Sequence, residues 1–577
     1  MMNPIYSLSE LFHHRCAENR HAPFLHYLLE GQWQSLTWGE VEGRANALTS
    51  LLAANGTKEG DRVLIIADNS QDWIVTELAV LSLGAILVTA YTSSHPSEWE
   101  HILLDSGASI LVADHSLLDC LYPTISSLHG QIGFSLGIGS PEWKSLMENP
   151  TSLARKESSV EDLDKTVCII YTSGTGGSAK GVELSNQNIL NNCRGASKII
   201  EPYGLEAHRF LSILPFAHAY AHSADIWTPI YTNAQIFISN NVKQLNQQFQ
   251  YVKPTIMNTI PRLWDVLKKQ ISAHIQSKGF ISRKLFALTL KLGQDKMIGL
   301  SMGPIDRVLN LLCNRLVRSQ IQTKLGGHLV GAVVAGSPLS PKTAAFFGSL
   351  GIQLHQAYGQ TECGPGIAML EAGNITPGAV GKALEGMEIR LAEDGEILVR
   401  GPNVMKGYWR AQELTAKVIQ DGWLHTGDIG KLNKNGLLQI LDRKKDFIKT
   451  SSAEMISPQL IEQKIAVHPD IEHAIIYGHG KPFLVAAIFP SVELLSDLEN
   501  TSQKLELLRE KIDKHIKQVN ITLDSKSRVK KFLILGHELT IADGTLTPSL
   551  KVKRNHIYQT YANQIESLFQ ESVSAIS

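Results

Sequence analysis

The sequence predicts an α/β protein with a large, multi-layered N-terminal body, built on parallel sheets with a β-rich region, and a small α+β domain at the C-terminus. Three observations support this fold class. Short apolar runs alternate with helical segments over most of the chain, as in parallel sheets covered by helices. From about Gly395 the chain changes to short strands with glycine turns. A dense cluster of charges, Asp442 to Asp446, then separates this region from a mixed tail.

The predicted strands of the body come first along the chain. Each is a short run rich in branched apolar residues and followed by a helical segment, which is typical of a buried strand. The clearest are Arg62 to Ile66, Ile86 to Thr89, Ile110 to Ala113, Val167 to Tyr171 and Phe210 to Leu214. No repeat of fixed period is visible, which argues against a repeat architecture.

The β-rich region and the tail follow the body. Gly395 to Gly401 is a short strand between glycines, and Asn433 to Gly436 is a turn. We place the domain boundary in the charge cluster, so that residues 1–444 form the large domain and residues 445–577 the small one. An amphipathic helix that packs in a core is predicted near the end, from apolar residues at helical spacing: Ile557, Tyr561, Ile565, Leu568 and Phe569.

Composition limits the class of partner. Lys and Arg total 54 and Asp and Glu total 55 among 577 residues, so no general electrostatic reason favours nucleic acid as a partner. Any anion that the protein binds must therefore be held by contacts at its own site and not by the overall charge of the chain. The six cysteines are scattered without the spacing of a zinc site, which fits a reducing cytosol.

The N-terminus and the apolar segments predict a soluble, cytoplasmic protein. Met1 to Glu10 lacks the basic start and apolar run of a secretory signal. The uncharged stretch Leu78 to Ala90 is too short to cross a bilayer and contains Gly84.

A loop of small residues is the first candidate site. The strand Val167 to Tyr171 leads into Thr172-Ser-Gly-Thr-Gly-Gly-Ser-Ala-Lys-Gly181, where backbone N–H groups and hydroxyls can approach a polyphosphate and Lys180 adds a positive charge. This is not the loop of the P-loop NTPases, because Ala179 and Gly181 flank the lysine. The alternative is a flexible glycine turn with a solvated lysine.

The loop resembles the Y-T-S-G-T-T-G-x-P-K-G signature of the adenylate-forming family, which includes acyl-CoA synthetases, luciferases and the adenylation domains of peptide synthetases. Further segments match that family in order over most of the chain. They are Leu214-Pro-Phe-Ala-His218, Ala335-Gly-Ser-Pro-Leu339, Tyr358-Gly-Gln-Thr-Glu362, Gly422-Trp-Leu-His-Thr-Gly-Asp428, Asp442-Arg-Lys-Lys-Asp446 and Leu546-Thr-Pro-Ser-Leu-Lys551. The first of these, the stretch from Lys253 to Arg262 and the Leu546-Thr-Pro548 segment resemble the long-chain acyl-CoA synthetases.

Six positions depart from the family pattern. Gly176 replaces a usual Thr, Ala179 a usual Pro, Asn186 a common His and Ala221 a frequent Glu. Ser452-Ala453 stands where the family is usually rich in Gly, near the path of its pantetheine arm. An altered loop is expected to slow ATP use, and a bulkier tunnel wall to impair use of coenzyme A.

The resemblance implies a role for each phosphate-binding residue. Lys180 with the hydroxyls of Thr172, Ser173 and Thr175 would hold the β- and γ-phosphates of ATP, in a loop that contains Gly174, Gly176 and Gly177. Glu362 would ligate Mg²⁺, and Thr361 would contact the α-phosphate. The alternative for Glu362 is a surface carboxylate in a loop.

The same resemblance implies the nucleoside site. Asp428 would accept hydrogen bonds from the ribose hydroxyls, with Arg443 close by on ribose or phosphate. The adenine would lie between the wall Gly336, Ser337 and Pro338 and the ring of Tyr358, which Gly359 follows. Asp428 is otherwise a turn or N-cap acid, and Tyr358 a core aromatic.

Three further residues are assigned from the family. His218 would orient the acyl substrate or gate the thiol channel; the alternatives are a buried structural histidine and a metal pair with His222, for which no third ligand is apparent. Lys551, or its neighbour Lys553, would stabilise the adenylation transition state from a mobile C-terminal loop. Lys445 would be the hinge about which the small domain turns, unless it is an ordinary solvated lysine.

The sequence therefore predicts an enzyme that uses ATP and Mg²⁺ to activate a medium- or long-chain fatty acid as acyl-AMP and transfers the acyl group to coenzyme A. A fatty substrate makes peripheral contact with the inner face of a membrane plausible. Two alternatives stay open: a ligase that loads an acyl carrier protein or stops at acyl-AMP, and a non-catalytic nucleotide or acyl sensor. Retention of Lys180, Glu362, Asp428 and Lys551 argues against the sensor.

Overall fold

The structure is a computed structural model of the chain, and its contacts divide the chain into two compact units. It describes residues 5–127, 132–153, 159–172, 179–204, 208–297, 299–374, 376, 378–452, 454–491, 494–495, 502–547 and 551–570. The larger unit comprises Met1–Ile389, Val399–Leu424 and Leu432–Gln439. The smaller unit comprises Arg390–Leu398, His425–Lys431 and Ile440–Ser577.

A nine-stranded sheet forms one layer of the larger unit. Its central strands are parallel, and antiparallel strands close it at both edges. Its order is β15 (Lys382–Ala383), β14 (Gly366–Met369), β13 (Gln353–Gly359), β12 (Gly331–Val334), β11 (Ile256–Thr259), β9 (Arg209–Ser212), β10 (Gln235–Ile238), β1 (Pro23–Leu29) and β2 (Gln32–Thr37).

A seven-stranded sheet forms the second layer of this unit. Strands β7, β4, β3, β5 and β6 are parallel, whereas β8 and β18 are antiparallel to their neighbours. The order is β18 (Gly407–Tyr408), β8 (Lys180–Ser185), β7 (Thr166–Thr172), β4 (Ile86–Ala90), β3 (Arg62–Ile66), β5 (Ile110–Asp114) and β6 (Phe134–Ile138). All five predicted strands of the body are confirmed in these two sheets.

The β-rich region forms a five-stranded sheet. It contains β16 (Glu388–Leu391), β17 (Glu396–Arg400), β20 (Trp423–Leu432) and β19 (Ile419–Gln420), with β21 (Leu438–Arg443) beside β20. The smaller unit adds the pair β22 (Ile448–Lys449) and β23 (Met455–Ile456) and the sheet β24 (Ile471–Tyr477), β25 (Leu484–Pro490) and β26 (Val529–Ile534).

Helices cover the sheets of the larger unit. Several begin at side-chain caps, as at Thr37, where the hydroxyl and Glu40 form a capping box. The helices are α1 (Leu8–Asn19), α2 (Trp38–Ala54), α3 (Gln71–Ser82), α4 (Pro96–Ser106), α5 (His115–Ser127), α6 (Pro141–Glu148), α7 (Asn186–Ile200), α8 (Ala219–Ala221), α9 (Thr228–Tyr231), α10 (Leu245–Val252), α11 (Pro261–Gln276), α12 (Phe280–Met297), α13 (Pro304–Cys313), α14 (Ser319–Lys324), α15 (Pro341–Ser349) and α16 (Gln412–Val418). Two π-helical turns, His222–Trp227 and Asn314–Arg318, lie among them.

The helices of the smaller unit are α17 (Pro458–Ile465), α18 (Ser502–Ile521), α19 (Arg554–Thr560) and α20 (Ala562–Gln570). The last two replace the single terminal helix that the sequence predicts, because Tyr561 between them is not helical, with φ −110° and ψ 20°. The predicted stripe still packs in a core: Ile557 and Ile565 are fully buried, with Tyr561, Leu568 and Phe569 against them.

A loop of the larger unit is held between its two sheets. Asn69, which follows β3, donates from Nδ2 to Leu214 O at 2.6 Å and accepts from Phe216 N at 2.8 Å. Thr89 of β4 donates to Ala217 O at 3.0 Å. Leu214 to Ala217 follows β9 of the other sheet, so these bonds fix the segment that leads to His218.

Within the part of the chain that the structure describes, no helix combines the length and apolarity needed to cross a membrane.

Candidate active site

The two ends of the predicted phosphate loop lie side by side in the seven-stranded sheet. Thr172 ends β7 and pairs with Lys180, which begins the antiparallel strand β8. The buried strand β7 thus holds both ends of the loop at fixed positions. The loop residues between them, including Ser173, Gly174, Thr175, Gly176 and Gly177, lie outside the described residues.

A tyrosine joins the predicted phosphate and magnesium residues. The Lys180 ammonium lies 5.3 Å from the centre of the Tyr408 ring, and the Tyr408 hydroxyl donates to Glu362 Oε1 at 2.9 Å. Tyr408 belongs to β18, which pairs with β8, so the sheet itself brings Tyr408 beside Lys180. The cation lies over the ring, whose face attracts an ammonium, and the anion accepts from the ring's hydroxyl.

Tyr408 is the functional candidate that the sequence did not reveal. Its only local signal is the aromatic pair Tyr408-Trp409 after Gly407. The hydrogen bond to Glu362 spans 46 positions along the chain, and nothing in the local pattern indicates this contact.

The predicted adenine wall follows β12, and the Tyr358 to Glu362 segment begins in the last two residues of its neighbour β13. Parallel neighbours end at the same edge of a sheet, so the two segments are close. Gly336 has φ +87°, a conformation that favours glycine, and Leu339 is buried below the exposed Ser337 and half-buried Pro338.

Backbone packing shapes the turn that carries Thr361 and Glu362. They lie in a short 3₁₀ turn, Thr361–Cys363, directly after β13. At Gly359 an added Cβ would lie 1.9 Å from Pro365 O, so only glycine fits this position. Tyr358 is largely buried in the strand, with 9% of its surface exposed.

His218 caps a short helix at the end of the segment held between the two sheets. Its Nδ1 accepts a hydrogen bond from Tyr220 N at 3.1 Å, which leaves the proton of the neutral ring on Nε2. His222, one turn later, is fully buried, and its Nε2 lies 2.6 Å from Glu77 Oε1, which also accepts from Trp227 Nε1 at 2.7 Å. Glu77 thus occupies the Nε2 atom of His222.

Asp428 and Arg443 meet within the smaller unit. Asp428 Oδ1 and Arg443 Nε are 3.1 Å apart on the neighbouring strands β20 and β21. The Asp428 side chain is buried, whereas Arg443 is 45% exposed. An acceptor carboxylate and a cation are therefore adjacent, as recognition of a ribose and a phosphate requires.

Lys445 lies in a short 3₁₀ turn, Lys444–Asp446, directly after two anchored residues. The buried Asp442 accepts from Ser457 Oγ at 2.6 Å and from Gln459 N at 3.0 Å, at the start of α17. Lys444 Nζ contacts Asp394 at 2.6 Å and Glu396 at 2.9 Å. This contact lowers the pKa of the Asp394 carboxyl and raises that of Lys444.

Lys551 is exposed on the returning arm of a tight loop. Leu546 and Val552 form an antiparallel bridge, and Lys551 N donates to Thr547 Oγ1 at 3.0 Å. At the base of the loop, burial would raise the pKa of Asp543, but hydrogen bonds from Thr545, His537 and Thr540 outweigh it and hold the pKa below its usual range. The residues 548–550 lie outside the described residues.

The predicted residues thus fall on two units. Thr172, Lys180 and Glu362 meet in the larger unit through its sheets, and Asp428 meets Arg443 in the smaller one. No group of three or more His, Cys, Asp or Glu side chains suited to a metal occurs among the residues described.

The departures from the family pattern have structural counterparts. Asn186 Oδ1 accepts from Leu8 N at 2.8 Å, and its Nδ2 donates to Asp162 O at 2.9 Å. The Ala179 carbonyl lies 2.8 Å from His101 Nε2, and Ala221 is fully buried. Gly176 and Ala453 lie outside the described residues.

Several curated proteins are similar along nearly the whole chain. The long-chain-fatty-acid–CoA ligase FadD15 of Mycobacterium tuberculosis is 28% identical over 570 residues, covering 94% of each chain. The long-chain-fatty-acid–CoA ligase 6 of Mus musculus is 29% identical over 593 residues, covering 94% of this chain and 84% of the mouse protein.

Solved structures share the fold over a similar extent. The anthranilate CoA ligase AuaEII, in complex with anthranoyl-AMP, has a TM-score of 0.73 at 20% identity and covers 97% of this chain and 98% of its own. A fatty acyl CoA synthetase of Mycobacterium tuberculosis has a TM-score of 0.64 at 18% identity, covering 97% of this chain and 99% of its own. At these identities the likeness shows the fold alone, and it confirms the predicted fold class.

Two family models match the sequence directly. One, described as AMP-binding enzyme, matches residues 12–409, and the other, AMP-binding enzyme C-terminal domain, matches residues 445–573. They confirm the family that the ordered motifs indicate. Since the first match alone covers more than half of the 577 residues, this chain belongs to the AMP-binding enzyme family.

Proposed function

We propose that this protein activates a medium- or long-chain fatty acid with ATP to acyl-AMP and then transfers the acyl group to coenzyme A, giving acyl-CoA, AMP and pyrophosphate. The observation that carries the proposal is the contact series Lys180, Tyr408 and Glu362. The fatty acid as substrate is supported by relatives that are long-chain-fatty-acid–CoA ligases, 28–29% identical over 94% of this chain.

In the first half-reaction a carboxylate oxygen attacks the α-phosphorus of ATP, and the bond to the bridging oxygen breaks to release pyrophosphate. The carboxylate must approach a polyanion, so cations are needed where charge develops. In the proposal the β- and γ-phosphates are held by Lys180, Thr172, Ser173 and Thr175, whose loop also contains Gly174, Gly176 and Gly177. Thr361 contacts the α-phosphate, and Lys551 bridges it to the incoming carboxylate.

Glu362 fits a magnesium ligand. Mg²⁺ is held in proteins by one or two carboxylates together with phosphate oxygens and water, and it neutralises charge on the pyrophosphate. Glu362 has one oxygen fixed by the Tyr408 hydroxyl at 2.9 Å, so the carboxylate is oriented by an uncharged partner. A half-buried carboxylate held in this way suits a site that needs only a single protein ligand.

The proposal also assigns residues to the nucleoside and to the acyl group. Asp428 accepts from the ribose hydroxyls with Arg443 beside it, and Gly336, Ser337, Pro338, Tyr358 and Gly359 surround the adenine. His218 orients the acyl carboxylate. In the second half-reaction the sulfur of coenzyme A attacks the acyl carbonyl, the carbon–oxygen bond to AMP breaks, and the thiol proton passes to solvent.

A pyrophosphate-release assay over saturated acids of rising chain length, with and without coenzyme A, tests the proposal. We expect stronger release with medium or long fatty acids than with acetate, benzoate or amino acids, and acyl-CoA only when the thiol is present. Preferential use of acetate or an amino acid would contradict the substrate class. A loss of release in Glu362→Gln, with Glu413→Gln as an exposed control on the same unit, ties the activity to this site.

The same assay separates the alternatives. An acyl carrier protein used in preference to coenzyme A would identify a carrier-protein ligase, and accumulation of acyl-AMP with both thiols would identify an enzyme that stops at the adenylate. A sensor would bind ATP without releasing pyrophosphate.

A further inference from the structure

Exposed apolar side chains are concentrated on one helical hairpin of the larger unit. This outer hairpin consists of α12 (Phe280–Met297), α13 (Pro304–Cys313) and the π-helical turn Asn314–Arg318. Of the 24 exposed large apolar side chains among the described residues, eight lie between positions 280 and 316. Six of them carry the argument: Phe280, Ile281, Ile305, Val308, Leu312 and Leu316.

The exposed residues of α13 and the turn after it form a stripe. Ile305, Val308, Leu312 and Leu316 follow one another at spacings of three and four residues, which places them on one side of a helix. Cys313 and Val317 are buried on another side. A surface helix normally turns its apolar face toward the core, so an apolar stripe that faces solvent needs a further partner.

The base of the outer hairpin is tightly fixed, so the stripe is held outward. The largely buried Arg318 donates to Ser349 O at 2.7 Å, Asn310 Oδ1 at 2.8 Å and Thr289 O at 3.1 Å. These bonds join the π-helical turn to α15, α13 and α12. Gly293 of α12 approaches α15 so closely that an added Cβ would lie 2.5 Å from Ser349 Cα.

The charge of the outer hairpin selects the chemistry of the partner. Between positions 280 and 316 there are two acidic residues and six basic ones, whereas the whole chain carries a net charge of −1. The basic side chains are all exposed: Arg283, Lys284, Lys291, Lys296, Arg307 and Arg315. Two copies of the chain packed stripe to stripe would bring these positive charges together, whereas an anionic surface would neutralise them.

We propose that the outer hairpin docks the protein on an anionic lipid bilayer. The stripe inserts among the lipid chains near the headgroups, and the basic side chains contact the lipid phosphates, as in amphipathic helices that lie in a membrane interface. That the membrane supplies the acyl substrate rests on the proposed function. The docking itself does not, because it depends only on the apolar stripe and the charge around it.

Sedimentation of the full chain with lipid vesicles tests the docking. We expect binding to vesicles that mix phosphatidylglycerol with phosphatidylcholine, weakened by salt, and little binding to phosphatidylcholine alone. Val308→Gln with Leu312→Gln should weaken binding by about tenfold or more, because both side chains leave the bilayer. The matched control is Leu505→Gln with Leu507→Gln, two exposed leucines of α18.

A second pair of variants tests the contribution of the basic side chains of the outer hairpin to vesicle binding. Arg307→Gln with Arg315→Gln should weaken binding to anionic vesicles by about fivefold for each residue removed. Lys58→Gln with Lys434→Gln, two exposed lysines elsewhere on the larger unit, should leave it unchanged. Equal losses of vesicle binding in the arginine pair and in the lysine pair would show a general charge effect and overturn the assignment to the outer hairpin.

Two other outcomes would also overturn the proposal. One is the absence of vesicle binding by the wild-type chain. The other is a dimer in sedimentation velocity that Val308→Gln with Leu312→Gln converts to monomer, which would mean that a second copy covers the stripe.

Pyrophosphate release with a fatty acid dissolved without vesicles is measured in parallel. Normal release by a variant that no longer binds vesicles shows that it is folded, and an inactive wild-type chain that still binds vesicles would contradict only the proposed function.

Discussion

At the scale of single residues, Tyr408 shows how a site is completed by a side chain that has no charge of its own. Its ring faces Lys180 and its hydroxyl holds Glu362, so one residue orients the candidate phosphate ligand and the candidate metal ligand. The charged residues have motif contexts that local sequence reveals. The tyrosine depends on the pairing of β18 with β8, which only the fold provides.

The motifs predicted candidate residues better than they predicted which side chains would meet. Glu362 follows a strand and a glycine whose backbone packing leaves no room for a Cβ, and such constraints leave a local signature. The Glu77, His222 and Trp227 cluster joins residues up to 150 positions apart, so no local pattern could indicate it.

Asp225 provides a prediction about pH. Burial raises the pKa of its carboxyl to about 8 from an ordinary 3.8, with a hydrogen bond from Asn258 acting in the opposite direction. Between these values the unfolded chain loses the proton and the folded chain keeps it, so the stability present below the lower value is lost progressively as pH rises toward the higher. We expect Asp225→Asn to remove this dependence, since Asn does not titrate.

The measurement is the free energy of unfolding in urea at about pH 5 and about pH 7.5. Relative to wild type, the free energy of unfolding of Asp225→Asn should rise by up to roughly 3 kcal/mol between these two pH values. Asp421→Asn, at an exposed position, is the control and should keep the wild-type dependence. Parallel curves for Asp225→Asn and wild type would contradict the prediction.

Lys551 provides the catalytic prediction at this scale. Lys551→Ala should lower the rate of adenylation by about 10²–10³, or roughly 3–4 kcal/mol, because an ammonium between the carboxylate and the α-phosphate offsets their repulsion. The variant should still convert supplied acyl-AMP and coenzyme A to the thioester. Pyrophosphate release measures the first step and acyl-CoA formation the second.

Lys553→Ala is the matched control for Lys551. Lys553 is two residues further on, half-buried, with its backbone N–H bound to Thr545 O at 2.8 Å. Near-normal pyrophosphate release by a folded Lys551→Ala protein would remove Lys551 from the proposed mechanism and transfer the test to Lys553.

At the scale of elements, the packing of α12 on α15 depends on a glycine. An Ala at position 293 would place its Cβ 2.5 Å from Ser349 Cα and 2.6 Å from Ser349 Cβ. Gly293→Ala should therefore destabilise the protein, because overpacking costs about 1–3 kcal/mol and exceeds the gain in helix propensity of up to about 1 kcal/mol. Thermal unfolding measures the change. Gly279→Ala, where nothing lies within 4 Å, is the control, and equal melting temperatures for the two variants would disprove the packing argument.

The elements were largely predictable where one physical cause dominates. Buried strands show as apolar runs because both faces are covered, and the five predicted runs are strands. The terminal helix was predicted as one element because periodicity does not register a single non-helical residue, and the structure breaks it at Tyr561. The outward stripe of α13 has the same periodicity as a core-facing stripe, so the sequence could not distinguish its direction.

At the scale of the whole molecule, the chain has two units, and the candidate residues are shared between them. Thr172, Lys180 and Glu362 belong to the larger unit, whereas Asp428, Arg443, Lys445 and Lys551 belong to the smaller. The second family model begins at residue 445, while the contacts assign the continuous C-terminal part from Ile440 to the smaller unit. That the small domain turns at Lys445 during catalysis therefore stays a prediction.

The hinge prediction rests on the proposed function, in which two half-reactions use one cleft with different partners. Rotation about a few backbone torsions can exchange one catalytic face for another, and these torsions must be free at the hinge. The side chain of Lys445 is exposed, while Asp442 and Lys444, which both precede it, are anchored by hydrogen bonds, so the fixed part of the chain ends directly before Lys445. Lys445→Pro fixes φ near −65° and should leave adenylation largely intact while blocking thioester formation.

Lys445→Ala, which removes the side chain and keeps the backbone free, is the control and should support both steps. Single-turnover pyrophosphate release and acyl-CoA formation measure the steps separately, and equal loss of both in Lys445→Pro would mean that the turn at Lys445 is structural and not a hinge.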